Sequence, residues 1–430
     1  MTKPTERIRF AGDVALEKVE IISSNGFVQN IANQVITLQV FEDMFSPFIS
    51  GNIIFKDSLD LVNLFPFVGE ETVNLRIKTP TFGEKEGIIE GSFYVYKLTE
   101  RELLGDRSVL YMLHFISFES IVDVNKKISR TLQGKISDIA KDIITKPEYL
   151  QTKRKVNIEE TNNKLKYISN FWSPVKNLNY LASNAVNKKN SPTYLFFENR
   201  DGFNFVSMET ILAAPVIQDF VYDAYSRDIK KDGTSNKNLE RDYKRIQEIS
   251  IPTGFDYIQR GTAGMYASKL ITHDITTKRY STKNFDMLEN FPKNSHMNAY
   301  PIASKKNIAR SNSFVLPYNK YYGNFDQFGD VTNANTIQAR MSLLQQLESF
   351  RVQVTVPGRT DYTVGRKVKL KLNKMEPIAK DENSDKNVDK MFSGTYVIAA
   401  INHYFDKEKH ECNMELIKDS LEMDLDRNGK

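Results

Sequence analysis

One cysteine, five histidines and one tryptophan stand in 430 residues, and each scarcity excludes something. A lone Cys412 rules out an intramolecular disulfide and any multi-cysteine metal cage, which fits folding in a reducing cytoplasm. The start, MTKPTERIRFAGDVALEKVE, lacks a basic stretch followed by an apolar one, and no run is long or apolar enough to span a bilayer. A soluble chain with neither export signal nor membrane insertion is expected. The charge excess is also small: 59 basic residues against 54 acidic ones leave a formal +5, too little for a dedicated DNA-binding domain. No serine sits in a G-x-S-x-G elbow, and GTAGMY at 261–266 lacks the lysine and spacing of a phosphate loop.

What is there is β-forming. With 40% hydrophobic and 26% charged residues the chain is ordinary for a globular protein, and 27 Phe with 20 Tyr supply aromatics for sheet packing. Its length implies several units of roughly 100–150 residues each. QVITLQVFED, GNIIFKDS, ETVNLRIKT, GSFYVYKLTE and SVLYMLHFISFES read as successive short strands of an antiparallel unit covering 1–122. Residues 123–238 read as a mixed α/β unit. Its first helix carries Ile136, Ile139, Ala140, Ile143 and Ile144 on one face. Its second starts at an N-cap Ser173 with Pro174 at the first helical position, and Leu178, Leu181, Ala182 and Ala185 form the stripe. A hairpin follows, TYLFFENRDGFNFVS, with its turn between Asn199 and Gly202; SRDIKKDGTSNKNLERDYKR then reads as a polar surface loop. Strand character returns over 239–282 and 335–420, around an irregular, extended 283–334 rich in Asn, Tyr, Phe and Pro, and 421–430 is a C-terminal tail.

In FRVQVTVPGRTDYTVGRKVKLKL, Val352, Val354 and Val356, then Val368, Leu370 and Leu372, alternate with Arg351, Gln353 and Thr355, then Lys367, Lys369 and Lys371. Pairing of the two runs as a hairpin would leave one greasy and one basic face. An internal echo accompanies this: FVGEETVNLRI (67–77) matches TVGRKVKLKL (363–372), and GSFYVYKL (91–98) matches GTYVIAAI (394–401), in the same order. Asn74, Arg76 and Lys78 hold the matching polar face in the first copy.

The strongest metal candidates lie in NHYFDKEKHEC. A hairpin closing at Asp406 and Lys407 would put His403 opposite His410, with Cys412 farther along the same face. That face continues as Val397, Ala399 and Ile401 against Met414 and Leu416, and no fourth ligand is evident, so the expectation is a packed core pair with a buried thiol and no metal.

Taken in order, VITLQVFEDMFSPFISGNIIFKDS with GEETVNLRI, SPVKNLNYLASNAVNKKNSPTYLFFENRDGFNFVS, YKRIQEISIP with GMYASKLITHDI, and PGRTDYTVGRKVKLKL with GTYVIAAINHYF resemble the central baseplate hub protein of contractile-tailed, T-even-type phages. The resemblance implies a mainly β chain with α+β insertions, in which two tube-like antiparallel β-barrels are separated by inserted domains. It implies a structural protein rather than an enzyme, without cofactor, located in the virion tail baseplate and assembled in the host cytoplasm. Three copies would form a pseudo-sixfold ring joining the tail tube, or its initiator, to a central spike, with baseplate wedge proteins outside and DNA passing through. The polar faces at Asn74, Arg76, Lys78, Arg351, Gln353, Lys367, Lys369 and Lys371 would then look into the lumen or at a neighbouring subunit. Segments 283–334 and 373–391 have no family counterpart. Nothing after residue 418 reads as an OB-fold or β-helix, so the spike is expected to be a separate chain. The alternative from another class is a tail-associated cell-wall glycan-binding module or hydrolase, which predicts a pocket of converging carboxylates or aromatics.

Overall fold

The computed structural model describes residues 8–425 apart from 59–60, 62–66, 83–86, 105–107, 223–238, 254–255, 275–277, 305–312, 319–335, 375–387 and 408. Alternating apolar and polar residues build the first unit from β1 (Ala15–Ile22), β2 (Val28–Asn30), β3 (Val35–Asp43), β4 (Ser50–Asp57), β5 (Thr72–Lys78), β6 (Ile88–Leu103) and β7 (Val109–Ser117). Every pairing among them is antiparallel, and Leu38, Val40, Ile53, Phe55, Val73, Leu75, Ile77, Leu113 and Phe115 meet on the inner face as one core. Gly51 on β4 exists for clearance: a Cβ there would lie 2.2 Å from Phe115 Cζ and 2.3 Å from the Gln39 carbonyl oxygen, which is backbone and cannot yield. Gly51→Ala should therefore cost roughly 3 kcal/mol or more, read as a lowered urea midpoint.

The α/β unit follows with α1 (Phe118–Asn125), β8 (Ile128–Lys135), α2 (Ile136–Thr145), β9 (Val156–Ile158), β10 (Lys164–Trp172), α3 (Pro174–Asn184), β11 (Tyr194–Asn199), β12 (Gly202–Ser207) and α4 (Met208–Ala213). Both helices form as their spacing predicts. Ser173 caps α3 by accepting from the Lys176 N–H, and Leu178, Leu181 and Ala182 are buried. Strands β11 and β12 are buried on both faces. Tyr194, Phe196, Phe203 and Phe205 pack into the α/β core, while Leu195, Phe197 and Val206 reach the core of the last unit. Aromatics on both arms of the hairpin are thus explained by a wall between two cores.

The remaining elements are β13 (Val216–Tyr222), α5 (Leu239–Lys244), β14 (Glu248–Thr253), α6 (Tyr257–Thr262), β15 (Ala267–Asp274), β16 (Arg279–Asp286), α7 (Met287–Asn290), β17 (Tyr300–Pro301), β18 (Ser313–Tyr318), α8 (Ile337–Leu347), β19 (Phe350–Pro357), β20 (Lys367–Leu372), β21 (Gly394–Phe405), β22 (His410–Lys418) and β23 (Ser420–Leu421). Several expectations are corrected here. β19 and β20 do not form a hairpin: β22 and β21 lie between them, because alternation decides which face a strand buries and leaves its partner open. β15, within the stretch assigned to the second β unit, instead forms a separate sheet with β16 and β18. β13, within the stretch read as α/β, lies parallel to β20, with Phe220 in the last core. The segment read as irregular holds β16's end, α7, β17 and β18, and Leu421, assigned to the tail, is buried in β23 against β17. Much of the polar loop read at 226–245 and of the segment 373–391 falls outside the described residues; 239–244 is α5.

Strand order runs β1-β5-β6-β7-β4-β3 in the first unit and β13-β20-β21-β22-β19-β14 in the second. The echoed segments occupy matching places, β5 with β6 and β20 with β21, and in the same register. Leu75 opposes Gly91 as Leu370 opposes Gly394, and Val73 opposes Phe93 as Val368 opposes Tyr396. Even the register shift repeats, between Val95 and Lys97 in β6 and between Ile398 and Ala400 in β21. The two units merge into one sheet where residues 400–405 of β21 pair antiparallel with 38–43 of β3. Among the described residues strand pairing closes neither unit into a barrel. The nearest approach is in the second unit, where Val221 of β13 bridges Arg245 and accepts from the Ile246 N–H at 3.1 Å. No described helix is long and apolar enough to cross a membrane.

Candidate functional site

Of the cations expected on the polar face, the two arginines are paired with carboxylates. On β5, Arg76 meets Glu17 at 2.9 Å and Glu90 at 3.0 Å, which raises its already high pKa. Asn74 accepts from the Ser92 hydroxyl at 2.6 Å, and Lys78 closes the strand opposite Ala15 and Ile88. On β19, Arg351 bridges Glu415 at 3.0 Å and Glu348 at 3.3 Å. Cross-strand pairing puts Arg351, Ile417, Val397 and Lys367 in one row, so the basic residues of β19 and β20 share a face without being neighbours. Lys367 donates to the Leu212 carbonyl at 2.5 Å below α4, where burial lowers its pKa; Lys369 stands 4.0 Å from Glu422 and Lys371 is half-buried. Gln353 opens onto a groove of about 630 Å³ crossing β3, β21, β22, β19 and β14, lined by Asn402, Asn413, Glu415, Glu248 and Asp43 among others.

The histidines and the cysteine do converge, in a register shifted from expectation. The hairpin turns through Asp406 and Lys409, whose carbonyl accepts from the Asp406 N–H, so His403 faces Cys412 directly and Phe405 faces His410. His403 Nδ1 lies 3.0 Å from His410 Nε2, and Cys412 Sγ lies 3.4 and 3.3 Å from those two atoms. All three residues are fully buried. Burial, with a smaller push from Arg200, takes His403 down to about 3; burial and its neighbour hold His410 well below its usual value, and burial raises the Cys412 thiol. Without a bound cation both imidazoles are therefore neutral and the thiol keeps its proton. The triad sits where the units join: Phe405 belongs to the first core, Cys412 to the second, and the His410 N–H donates to the Gly12 carbonyl.

Sequence reasoning missed the buried carboxylates at this junction. Glu42 accepts from the Thr363 hydroxyl at 2.5 Å and the Val364 N–H at 3.2 Å, and burial pushes it up to about 6. Glu198 accepts from the Ile49 N–H at 2.8 Å, the Ser117 hydroxyl at 2.5 Å and Arg154, tying the α/β unit to the first; burial outweighs these donors and takes it up to about 7. Thr79 and Thr360 exchange hydrogen bonds between the two β units. The signal was present: Glu42 follows Leu38 and Val40, and Glu198 follows Tyr194 and Phe196, so each is a carboxylate at a core-facing strand position.

No protein-family model matches the chain. It is 20% identical to the probable baseplate hub protein gp334 of Vibrio phage KVP40, the match covering 92% of each chain. Among solved structures, the tail protein from Neisseria meningitidis MC58 superposes with a TM-score of 0.56 at 10% identity, over 94% of this chain and 96% of that one. The 43 kDa tail protein of prophage MuSo2 from Shewanella oneidensis superposes with a TM-score of 0.54 at 9% identity, over 94% and 98%. Nearly end to end, the chain has the fold of these tail proteins and resembles in sequence a probable bacteriophage baseplate hub protein.

Proposed function

We propose that this chain is a structural hub of a phage tail baseplate, three copies of which close a pseudo-sixfold ring of tube-like barrel modules between the tail tube and a central spike. The observation that carries the reading is the match between the two β units. Residues 400–405 of β21 take β3 as an edge partner, whereas the equivalent residues 97–102 of β6 have no strand on that side among the described residues. The equivalent of β3 is β14, whose outer edge is likewise without a strand partner among them. Both edges carry exposed apolar residues, Tyr96, Leu98 and Leu103 on β6 and Ile251 on β14. Such edges invite a further strand. Pairing β6 of one copy with β14 of the next repeats the internal junction and alternates the two units around a closed, head-to-tail ring. A second register shift between Thr99 and Glu102, with Glu100 at φ 54°, keeps the free edge from being a flat template before assembly.

In this reading the shared polar face lines either the channel or a subunit contact. Cations already bonded to carboxylates, as Arg76 and Arg351 are, hold phosphate weakly, which suits transient DNA passage better than retention. Tube, spike and wedge proteins are the partners, the virion tail is the location, and the mechanism is geometric, without catalysis.

Light scattering over a concentration series should give the mass of three chains, with a central hole in negative stain. Because Cys412 is buried, Leu98→Cys and Ile251→Cys in one chain are the reactive thiols. A short bismaleimide should then link chains into a ladder that ends at three, while either single variant stays uncrosslinked. A chain that is monomeric throughout and binds cell-wall saccharide would be the glycan-binding alternative instead.

A further inference from the structure

We propose that His403, His410 and Cys412 bind one thiophilic divalent cation, zinc by the chemistry of the donors, which fastens the two β units together. Of the chain's one cysteine and five histidines, three meet in one fully buried triangle, with one ligand atom from each within 4.8 Å of the other two. Two imidazoles and a thiolate are a zinc-selecting set. Donors bound tetrahedrally to zinc stand about 3.3–3.6 Å apart. The edges here are 3.0, 3.3 and 3.4 Å, so a few tenths of an ångström of opening admits the ion.

Hydrogen bonding satisfies the triangle only in part, although the Arg359 backbone N–H also reaches the Cys412 sulfur. A facing ring nitrogen either donates or accepts, so one imidazole must carry the proton that the other receives. The thiol is then left with a lone pair already in use. A cation takes all three lone pairs at once, and Cys412 gives its proton to solvent as it binds. His410 Nδ1 has no hydrogen-bond partner among the described residues, and outside the triangle His403 leans only on the Tyr362 backbone carbonyl. Packing fixes the rings. Phe405 stacks on His410 at 4.2 Å, and a Cβ on Gly358 would lie 2.2 Å from the His410 ring. The fourth position goes to water or stays open.

The full chain, equilibrated with zinc and desalted, should retain one zinc per chain by elemental analysis. Cobalt titrated into the metal-free chain should produce a thiolate-to-cobalt charge-transfer band saturating at one equivalent. Cys412→Ser should abolish the band and weaken zinc binding at least tenfold. The cobalt titration needs no variant, so it decides even if Cys412→Ser folds poorly. Absence of the band in a folded chain, or equal zinc retention by a folded Cys412→Ser chain, overturns the proposal. Stoichiometry is counted per chain, so this outcome is independent of whether the chain forms a ring.

Discussion

Replacing Phe405 with alanine should lower the stability of the joined β units by about 3–5 kcal/mol, the cost of emptying a buried phenylalanine site. Phe405 is fully buried at the end of β21, opposite Leu38 of β3 and His410 of β22. It belongs to the first core although its strand belongs to the second unit, and it stacks on both histidines, 6.2 Å from His403 and 4.2 Å from His410. Its loss therefore opens a cavity where the cores touch. With a urea dependence of roughly 1–3 kcal/mol per molar, the midpoint should fall by roughly 1–5 M. Because the chain holds several cores, the transition should also broaden or split as the units uncouple. A shift no larger than that of alanine at exposed Leu103 would mean the cores are not coupled through this ring.

A second large effect is expected from Glu198 and pH. Burial raises its pKa from 4.5 to about 7 against the pull of Arg154, Ser117 and the Ile49 N–H, with a small further push from Glu119. A raised folded-state pKa means that the folded chain keeps a proton the unfolded chain has lost. This stability is fully present below about pH 4.5 and is lost as pH rises through about 7. Glu198→Gln removes the titration, so the stability of wild type relative to variant should fall by up to about 3 kcal/mol across that window. Glu42 acts with the same sign and the two buried histidines with the opposite sign, but all three are common to both chains and cancel in the difference. Urea unfolding at pH 4.5, 6 and 7.5 measures it. A difference that grows with pH would show that Arg154 keeps the carboxylate ionised.

How much of this was legible beforehand varied with the range of the interaction involved. The α2 and α3 stripes were readable because helical contacts lie three and four residues apart in the chain. The faces of β5, β19 and β20 were readable because strand alternation is equally local. Partners were not. Nothing in KVKLKL says that it lies beside both β13 and β21 rather than β19, since any apolar-faced strand satisfies the same alternation. The His403 and His410 pair was foreseen but misregistered: the hairpin turns one residue later than expected, which shifts the pairing by two, puts Cys412 opposite His403 and makes the contact between the histidines diagonal.

By itself the sequence determined the β-rich class, the two helices of the α/β unit, the exclusion of disulfides, and the repeated pair of strands whose register recurs as Leu75 with Gly91 and Leu370 with Gly394. All of these follow from local periodicity or composition. Only the tertiary structure decided that the two β units share one sheet through β3 and β21, that Arg76 and Arg351 are neutralised across strands, that Glu42 and Glu198 are buried at the joints, and that a lone cysteine meets two histidines. The physical reason is that each depends on contacts between residues far apart in the chain. Partner choice at a strand edge is settled by how whole cores pack, which no local pattern encodes.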